Sequence, residues 1–382
     1  MMIQQFDIII CGAGPAGSTC ALALENSGLK IALIDKSSFP RDKICGDAIA
    51  PYVPSVLRTI HPKYEAAFHQ FKAKKIVTTL RVVAPNQKAV DLNFTQKGAI
   101  SMRVHLDHFL FEQASQLANV SSFTGFIKTV QTHSDHTIVT LKNGQQLRSK
   151  LIIGCDGAQG IVAKELTQNK IDLAHHSAAV RAYYKGVKGI SEQTFELHYL
   201  KDLMPGYFWI FPLPDGYANV GLGMLSQKIS QQKINLRKSL LQTITNTPYL
   251  KERFEGAELI HPPKGFGLPL GSRKVTISGH RFMLCGDAAA LVDPLSGEGI
   301  GQAIISGRYA GWQAKKCFEA DDFSAPFLLN YNKMVYHKLW REHRIHYFTQ
   351  RAIARCPWLL DSFANISQKS SILLRLFQKA FW

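Results

Sequence analysis

Residues 6–17 read FDIIICGAGPAG, an apolar strand that runs directly into three glycines. An apolar helical pattern follows, and a second apolar strand then ends on Asp35. In a dinucleotide fold Gly12 allows the tight turn, Gly14 lets a pyrophosphate approach the backbone, and Gly17 lets helix and strand pack closely. The helix N-terminus offers N–H groups to phosphates, and Asp35 can accept hydrogen bonds from both hydroxyls of an adenosine ribose. This order predicts a dinucleotide site and leaves open whether NAD or FAD fills it.

The bulk composition limits the class of protein. The chain has 382 residues, 46% of them hydrophobic, and a formal net charge of +17. Such a charge fits nucleic acid, an anionic membrane surface, an anionic substrate or simple solubility. The basic residues are spread along the chain without a nucleic-acid-binding signature, so we expect no nucleic acid. Seven scattered cysteines, and an N-terminus that enters a strand without a signal peptide, favour the reducing cytoplasm.

Apolar periodicity predicts two interleaved units and a helical tail. Alternating runs predict a hairpin at 77–83 and 89–94, and from about 170 to 270 the pattern is mostly strand, with one helix near 229–246. We therefore expect an α/β fold (α+β overall): a doubly wound Rossmann-like domain for the dinucleotide, an interleaved, mainly antiparallel β-sheet substrate domain and a helical C-terminus. The expected bounds are 1–75, 100–167 and 271–325 for the first, 76–99 and 168–270 for the second, and 326–382 for the tail.

The tail has two interpretations. Residues 340–347 and 351–355 carry basic and aromatic side chains at helical spacing, and residues 372–382 form an apolar stripe with two cations and a terminal Trp. That composition suits helices lying on an anionic membrane surface, which would make the protein cytoplasmic but membrane-associated. It suits equally a C-terminal helix docked on the body of the protein.

Two later strands end in an acid–glycine pair, Asp156-Gly157 and Gly286-Asp287. At the carboxyl end of a buried parallel strand such a carboxylate faces the ligand crevice. Either aspartate can instead cap the next helix. Farther on, Gly297–Gly301 opens a helix whose N–H groups and dipole would favour negative charge nearby.

Taken in order, these segments resemble the FAD enzymes built like para-hydroxybenzoate hydroxylase, over most of the chain to about residue 310. The likeness implies FAD, with Asp287 on its ribityl chain, Arg103 near its phosphates, and Asp156-Gly157 supporting the cofactor and the approach of a nicotinamide. Gly160 departs from the family, which usually has Ser there. The candidate cofactor residues are Gly12, Gly14, Ala16, Gly17, Asp35, Lys36, Arg41, Cys45, Gly46, Arg103, Asp156, Gly286, Asp287, Pro294, Gly297, Gly299, Ile300 and Gly301. Arg41 and Lys43 can instead bind a substrate pyrophosphate or belong to a solvated loop face.

Two further segments are similar to motifs of the geranylgeranyl reductase family. Residues 39–47 read FPRDKICGD, which matches PRxKxCG, and residues 207–212 read YFWIFP before a GxG at 221–223, which matches YxWxFP…GxG. The resemblance implies reduction of isolated C=C bonds in a prenyl (geranylgeranyl-type) lipid or prenylquinone by hydride transfer from reduced flavin. Because no second glycine-rich fold is visible, NAD(P)H and a ferredoxin-like protein both remain as electron donor.

Aromatic residues on one strand are the candidate wall of the substrate site. Tyr207, Trp209 and Phe211 point to one face and suit a polyisoprenoid chain, although they can equally fill a core. Cys45, Tyr207 and Trp209 are the candidate catalytic residues, and the first two are candidate proton donors. Cys45 can also be a small buried hydrophobe. The candidate substrate-binding residues are Tyr207, Trp209, Phe211, Pro212 and Gly221.

Other flavoprotein classes fit these residues less well. A halogenase would carry WxWxIP where Tyr207 and Phe211 stand, and an aromatic hydroxylase does not explain the motif around Cys45. A flavin-dependent monooxygenase or halogenase acting on an aromatic substrate stays the alternative. The non-enzymatic alternative is a protein that binds flavin as a scaffold and catalyses no reaction.

Metal chemistry finds little support in the sequence. Only Cys317 and Cys356 follow residue 300, which disfavours an iron–sulfur quinone dehydrogenase. The pairs His105/His108 and His343/His346 have no third ligand nearby in the sequence, so we expect no metal.

Overall fold

The computed structural model describes residues 3–369. Its strands lie between residues 4 and 284 and form three sheets. In chain order they are β1 (Gln4–Gln5), β2 (Ile8–Cys11), β3 (Ile31–Asp35), β4 (Ala48–Ile49), β5 (Lys75–Val83), β6 (Ala89–Ile100), β7 (Val120–Thr124), β8 (Ile127–Thr132), β9 (Thr137–Leu141), β10 (Gln146–Ser149), β11 (Leu151–Gly154), β12 (His176–Lys185), β13 (Thr194–His198), β14 (Gly206–Pro212), β15 (Tyr217–Leu225), β16 (Glu258–Leu259), β17 (Lys264–Pro269), β18 (Ser278–Gly279) and β19 (Phe282–Leu284).

The helices cover the sheets and fill the C-terminal part. They are α1 (Pro15–Ala23), α2 (Val53–Arg58), α3 (Pro62–Gln70), α4 (Arg103–Ser115), α5 (Ile161–Leu166), α6 (Ser226–Gln232), α7 (Leu236–Asn246), α8 (Pro248–Phe254), α9 (Ile300–Ala320), α10 (Ala325–Arg355) and α11 (Trp358–Lys369). Short 3-10 segments lie at Leu173–His175, Lys201–Leu203, Pro214–Gly216 and Gly286–Ala289.

The sheet that carries the first glycines has six strands in the order β18-β19-β11-β2-β3-β7. All its pairs are parallel except β18–β19. Every residue of β2, β3, β11 and β19 is buried, as expected of a parallel sheet covered on both faces. Because these strands are parallel, their carboxyl ends meet at one edge. Gly12, Asp35, Asp156 and Asp287 all stand at that edge, so the sequence placed them correctly.

Helices α1 and α9 form the main helical layer against this sheet. All nine residues of α1 are buried, and α9 packs along it through small residues. A Cβ at Gly307 would lie 2.1 Å from the carbonyl oxygen of Ala16, and one at Gly311 would lie 2.7 Å from the Cβ of Ala23. Both glycines therefore let the helices approach closely, and the β-α-β unit predicted from residues 6–35 is confirmed.

The largest sheet has the order β16-β12-β15-β14-β13-β5-β6-β4, with β17 also paired to β12. Its pairs are antiparallel apart from β13–β5. The hairpin predicted at 77–83 and 89–94 is β5–β6. Residues 48–49, which the expected bounds put in the dinucleotide domain, form β4 and pair with β6. We keep the domain bounds as a proposal.

One local prediction is wrong in detail, and one region correctly predicted as strand contains a turn that the pattern did not show. The single helix expected near 229–246 is the helix pair α6 and α7, because Lys233 between them adopts a left-handed conformation with φ +52°. The strand pattern from 207 to 222 is a hairpin, β14 and β15. Its turn contains Pro214, Asp215 and Gly216, and the last two have positive φ, which is turn chemistry that the apolar pattern concealed.

The C-terminal helices are partly docked and partly exposed. Helix α10 buries Leu328, Tyr331 and Val335 against the body, ahead of the segments for which the two interpretations were stated; within residues 340–347 it buries His343. Toward its other end Phe348 is 58% exposed, and Trp358 at the start of α11 is 60% exposed. The apolar stripe predicted at 372–382 lies outside the described residues. Within residues 3–369, the structure contains no helix with the length and apolarity needed to cross a membrane.

Candidate functional site

A cavity of about 2100 Å³ lies at the carboxyl ends of the parallel strands and continues between the large sheet and helices α10 and α11. The predicted cofactor residues that line it are Gly12, Gly14, Ala16, Asp35, Lys36, Arg41, Cys45, Gly46, Arg103, Asp156, Gly286, Asp287, Pro294, Gly297, Gly299 and Ile300. The other two predicted cofactor residues, Gly17 and Gly301, do not line the cavity and lie behind its lining. A Cβ at Gly17 would be 1.8 Å from the oxygen of Gly12, and one at Gly301 would be 2.3 Å from the hydroxyl of Tyr52.

The turn after β2 leaves backbone open to a ligand. Gly12 has φ +101°, and a Cβ there would lie 2.2 Å from the oxygen of Cys155, so the turn requires glycine. Gly14 precedes α1 without any side-chain cap. A Cβ on it would lie 3.4 Å from the nearest atom, Nη2 of Arg41. A phosphate at this helix start would therefore meet N–H groups and a guanidinium.

Asp35 belongs to a buried ion network that the sequence did not predict. Arg41 donates to both oxygens of Asp35, at 3.3 and 3.2 Å, and the N–H of Ala13 donates to Oδ2 at 3.0 Å. Arg41 also donates to Asp107 at 2.9 Å, and Arg103 donates to both Asp107 oxygens at 2.6 and 2.7 Å. The fully buried Asp107 thus joins both arginines, and ribose binding at Asp35 requires Arg41 to share or leave that carboxylate.

Asp287 stands at the other end of the same crevice. Lys43 donates to its Oδ2 at 2.9 Å. A Cβ on Gly299 would lie 3.5 Å from Oδ1 of Asp287, so that carboxylate faces a strip of bare backbone. Gly297 in the same strip has φ +70°. Loop 39–47 therefore supplies a cation to each of the two strand-end acids, Arg41 to Asp35 and Lys43 to Asp287.

Asp156 does cap the following helix. Its Oδ2 accepts the N–H of Val162 at 3.0 Å, while its buried Oδ1 has no hydrogen-bond partner among the described residues. Burial raises the pKa of Asp156 to about 6, although the backbone donors oppose the rise. A Cβ at Gly160 would lie 2.1 Å from Oδ1, so a serine there would displace the Asp156 carboxylate. This accounts for the departure from the usual family residue.

These features fit FAD. Bare backbone at Gly14 and at Gly297–Gly299 marks the two ends of a long crevice, and a carboxylate lies beside each end. Arginine and lysine side chains stand between them, where a diphosphate carries its charge. The unpartnered Oδ1 of Asp156 offers a further acceptor inside the crevice.

The aromatic wall faces the cavity as the strand pattern predicts. Tyr207, Trp209 and Phe211 line it, whereas Phe208 and Ile210 point into a separate core beneath the sheet. Two of the predicted substrate residues do not line it. Pro212 ends β14 away from the lining, and Gly221 lies behind the indole of Trp209.

The GxG at 221–223 has a packing role. Gly221 pairs with Trp209 across the hairpin and Gly223 pairs with Tyr207. A Cβ at Gly221 would lie 2.2 Å from the indole ring and 2.3 Å from the oxygen of Val180, so only glycine fits. At Gly223 the nearest atom would be the Cβ of Ala179 at 3.5 Å, an ordinary contact.

We expect Gly221→Ala to lower the free energy of unfolding by about 1–3 kcal/mol, because overpacking there meets rigid backbone. Gly223→Ala, on the same face of the same strand, should change it by less than about 0.5 kcal/mol. Urea unfolding of both variants measures the difference. Equal effects would contradict the packing argument.

A buried polar chain supports Cys45 and Trp209. The indole N–H of Trp209 donates to Asn219 at 2.9 Å. Asn219 in turn donates to the carbonyl of Cys45 and to the carboxylate of Asp47, both at 2.8 Å, and Tyr183 donates to the same Asp47 oxygen at 2.8 Å. Burial raises the pKa of Asp47 to about 6 despite these donors and nearby arginines. The chain fixes the motif loop against the aromatic wall.

Tyr207 and helix α10 meet on the loop before the glycine strip. The hydroxyl of Tyr207 donates to the carbonyl of Ser296. From the other side, His346 Nδ1 lies 2.6 Å from Oδ2 of Asp293, and Gln350 donates to the carbonyl of Pro294 at 2.6 Å. Asp293 is 2% exposed and lines the cavity with His346. The sequence showed no third ligand near His343/His346, but the fold brings Asp293 to His346.

Asp293, Glu342 and His346 bring their oxygen and nitrogen atoms within 4.8 Å of one another. The Asp293 Oδ1 already accepts the N–H groups of Leu295 and Ser296 and the Ser296 hydroxyl. Within this group, Asp293 and His346 are therefore engaged in hydrogen bonds with the loop and with each other.

A second acid of the cavity wall, Glu298, accepts from the Tyr52 hydroxyl at 2.8 Å and from the N–H of Gly301 at 2.5 Å. Burial raises its pKa to about 7, although both donors lower it. The sequence showed Glu298 as part of the glycine run, without any sign of this environment.

Comparison with known proteins agrees with this geometry. Residues 5–212 match the FAD binding domain family, and residues 176–260 match the geranylgeranyl reductase catalytic domain. A digeranylgeranylglycerophospholipid reductase of Thermoplasma volcanium is 27% identical, over 92% of this chain and 89% of its own length. A menaquinone reductase of Mycobacterium tuberculosis is 29% identical, over 80% and 75%.

Among solved structures, a geranylgeranyl bacteriochlorophyll reductase-like protein from Thermoplasma acidophilum superimposes with a TM-score of 0.82. It is 24% identical, and the match covers 97% of this chain and 93% of that one. At this identity the match shows the fold alone.

Proposed function

The chain belongs to the FAD binding domain family, in the branch that carries the geranylgeranyl reductase catalytic domain, and from this we propose that it is an FAD-dependent reductase of isolated C=C bonds in a prenyl lipid. The observation that carries the proposal is the continuity of one cavity. It runs from the glycine strip at 297–299, past Tyr207 and Trp209, to apolar side chains of α10 and α11 such as Ile353 and Phe363.

In this proposal the protein's own residues bind the prenyl chain, orient it and exclude water from the site. When bound and reduced, FAD would supply the hydride equivalent that an isolated alkene accepts poorly in water. Tyr207, Trp209 and Phe211 offer a long apolar face that can hold a prenyl chain in one alignment. Such alignment can remove much of the activation free energy of the reaction. The hydrogen bond from Trp209 to Asn219 fixes the indole, so its face is preorganised.

Two groups named as proton donors are weak acids. Burial raises the pKa of the Cys45 thiol, against the effect of nearby Arg103. Burial also raises the pKa of Tyr207, and the charge of Asp293 adds to it. We keep Cys45, Tyr207 and Trp209 as the proposed catalytic residues, with Cys45 and Tyr207 holding their protons at neutral pH.

An anaerobic experiment tests the function. The flavin of the purified protein is reduced with dithionite and then offered a geranylgeranyl phospholipid, geranylgeranyl diphosphate or a prenylquinone. We expect reoxidation of the flavin with a product heavier by two hydrogens per double bond. Reoxidation only by oxygen, with an aromatic substrate hydroxylated or halogenated, would favour the alternative function. Replacing dithionite by NADPH or by reduced ferredoxin identifies which of these proposed donors reduces the flavin.

The exposed tail supports a peripheral contact with an anionic membrane. Phe348 and Trp358 are exposed, and arginines at 341, 344 and 355 are exposed beside them. Ile345 and Leu359 of the same surface also line the cavity, so a lipid chain could pass between membrane and site. Co-sedimentation with anionic but not with zwitterionic vesicles would support this contact, and no sedimentation with either would contradict it.

A further inference from the structure

We propose that His346, held by Asp293, is the catalytic acid that gives the second alkene carbon its proton. The proposal rests on the proposed function and assigns a role that Cys45 and Tyr207 fill poorly. It follows from the place where helix α10 meets the loop at 293–297.

The position of His346 is defined by explicit contacts. Its Nδ1 lies 2.6 Å from Oδ2 of Asp293, and the other Asp293 oxygen is fixed by the N–H and hydroxyl of Ser296 at 2.7 and 2.8 Å. Gln350, one helical turn farther along α10, donates to Pro294. The ring is thus clamped to the loop, and with Nδ1 engaged, Nε2 is the nitrogen left for the cavity that His346 lines.

The same loop carries the aromatic wall on its other side. The Tyr207 hydroxyl donates to the carbonyl of Ser296, and a Cβ on Gly297 would lie 3.1 Å from that hydroxyl. His346 and Tyr207 therefore both contact one short loop, directly before the bare backbone of the glycine strip, and both line the same cavity. An alkene held against the wall at this loop would have an imidazole within the same part of the cavity.

The acid strength of His346 suits the role. Burial by itself lowers the pKa of His346, but the hydrogen bond to Asp293 and the charge of Asp293 outweigh it and raise that pKa. The charge of Glu342 acts in the same direction. A protonated imidazole is still a stronger acid than a thiol or phenol with a raised pKa, and it is therefore the more effective proton donor. The titratable groups that interact with His346 are Asp293, Glu342 and His343. Asp293 in turn interacts with Glu298, Tyr52, Tyr199 and Tyr207.

The step balances as a two-electron reduction. One alkene carbon gains the hydride equivalent whose source is reduced FAD, its neighbour gains a proton from the His346 imidazolium, and the π bond is lost. The imidazole is left neutral and regains its proton from water through the cavity.

The test compares His346→Gln with His105→Gln, a histidine change on the exposed face of α4. We expect His346→Gln to lower kcat for prenyl-lipid reduction by about a hundredfold, the usual scale for loss of a general acid. FAD content and the rate of flavin reduction by dithionite should not change. In the wild type kcat should fall as pH rises through the pKa of His346, and this limb should vanish in His346→Gln. His105→Gln should keep both kcat and the limb.

A second readout needs no turnover. NMR titration of the histidine rings should show that the pKa of His346 lies above that of exposed histidines, and Asp293→Asn should lower it. In Asp293→Asn the basic limb of kcat should move to lower pH. An unchanged pH profile in His346→Gln would overturn the proposal, as would loss of the limb in Glu298→Gln instead. Absence of prenyl-lipid reduction by the wild type would overturn the proposed function itself.

Discussion

Asp287→Ala should purify with little bound flavin. The Asp287 carboxylate stands beside the bare backbone of Gly299 in the crevice that fits FAD, and we propose that it accepts hydrogen bonds from the ribityl chain. Hydrogen bonds to a charged acceptor contribute about 1.5–3 kcal/mol, which corresponds to roughly ten- to hundredfold weaker FAD binding. Absorbance of the purified protein and titration of the apoprotein with FAD measure the loss.

Two matched variants separate cofactor binding from the ion pair with Lys43. Lys43→Ala removes the partner of Asp287 and leaves the carboxylate, so it should keep most of its flavin. Asp321→Ala removes an acid from a solvent-exposed salt bridge with Lys150 and should keep all of it. If Asp287→Ala copurified with a full complement of flavin, the assignment of Asp287 would be wrong. If Lys43→Ala lost as much flavin, the ion pair rather than the ribityl contact would be responsible.

Trp209→Leu should lower kcat/KM for prenyl-lipid reduction by about ten- to hundredfold. The indole lines the cavity, and an aromatic side chain of this size contributes about 1.5–3 kcal/mol when it covers apolar surface. The substitution also leaves the Asn219 oxygen without its indole donor, and Asn219 holds the carbonyl of Cys45. Steady-state kinetics with the substrate identified anaerobically measure the effect.

Phe208→Leu is the control for Trp209→Leu. Phe208 is the next residue on the same strand, is fully buried and points into the core beneath the sheet. Both substitutions should lower the free energy of unfolding by similar amounts, since both remove buried aromatic contacts. Only Trp209→Leu should change turnover by the folded enzyme. Unchanged prenyl-lipid turnover in Trp209→Leu would mean that the aromatic wall is only core.

Local patterns predicted the parts of the site that lie at strand ends or on one strand face. Residues 6–35 predicted a β-α-β unit because the glycines, the helix and Asp35 are close in sequence. The alternation of Tyr207, Trp209 and Phe211 predicted a single face because side chains alternate along any strand. The pairing of Gly221 and Gly223 with the aromatic strand could also be predicted from the sequence. Once the turn at 214–216 is recognised, the register of the hairpin places them opposite Trp209 and Tyr207.

The remaining contacts join residues that only the folded chain brings together. Asp47 is 172 residues from Asn219, and the Asp293–His346 pair spans 53 residues. No periodicity relates such positions. His343 and His346 face one seam of the fold: His343 packs against Gly271, whose N–H donates to the carbonyl of Val292, and His346 contacts Asp293. Their spacing is compatible with one helix face, but it does not indicate which distant segments that face meets.

The ion pairs of loop 39–47 have a consequence for how the holoenzyme is assembled. Arg41 and Lys43 neutralise Asp35 and Asp287, the two acids proposed to receive the cofactor. The polypeptide can therefore complete its fold without leaving either carboxylate uncompensated, and cofactor loading becomes an exchange of partners.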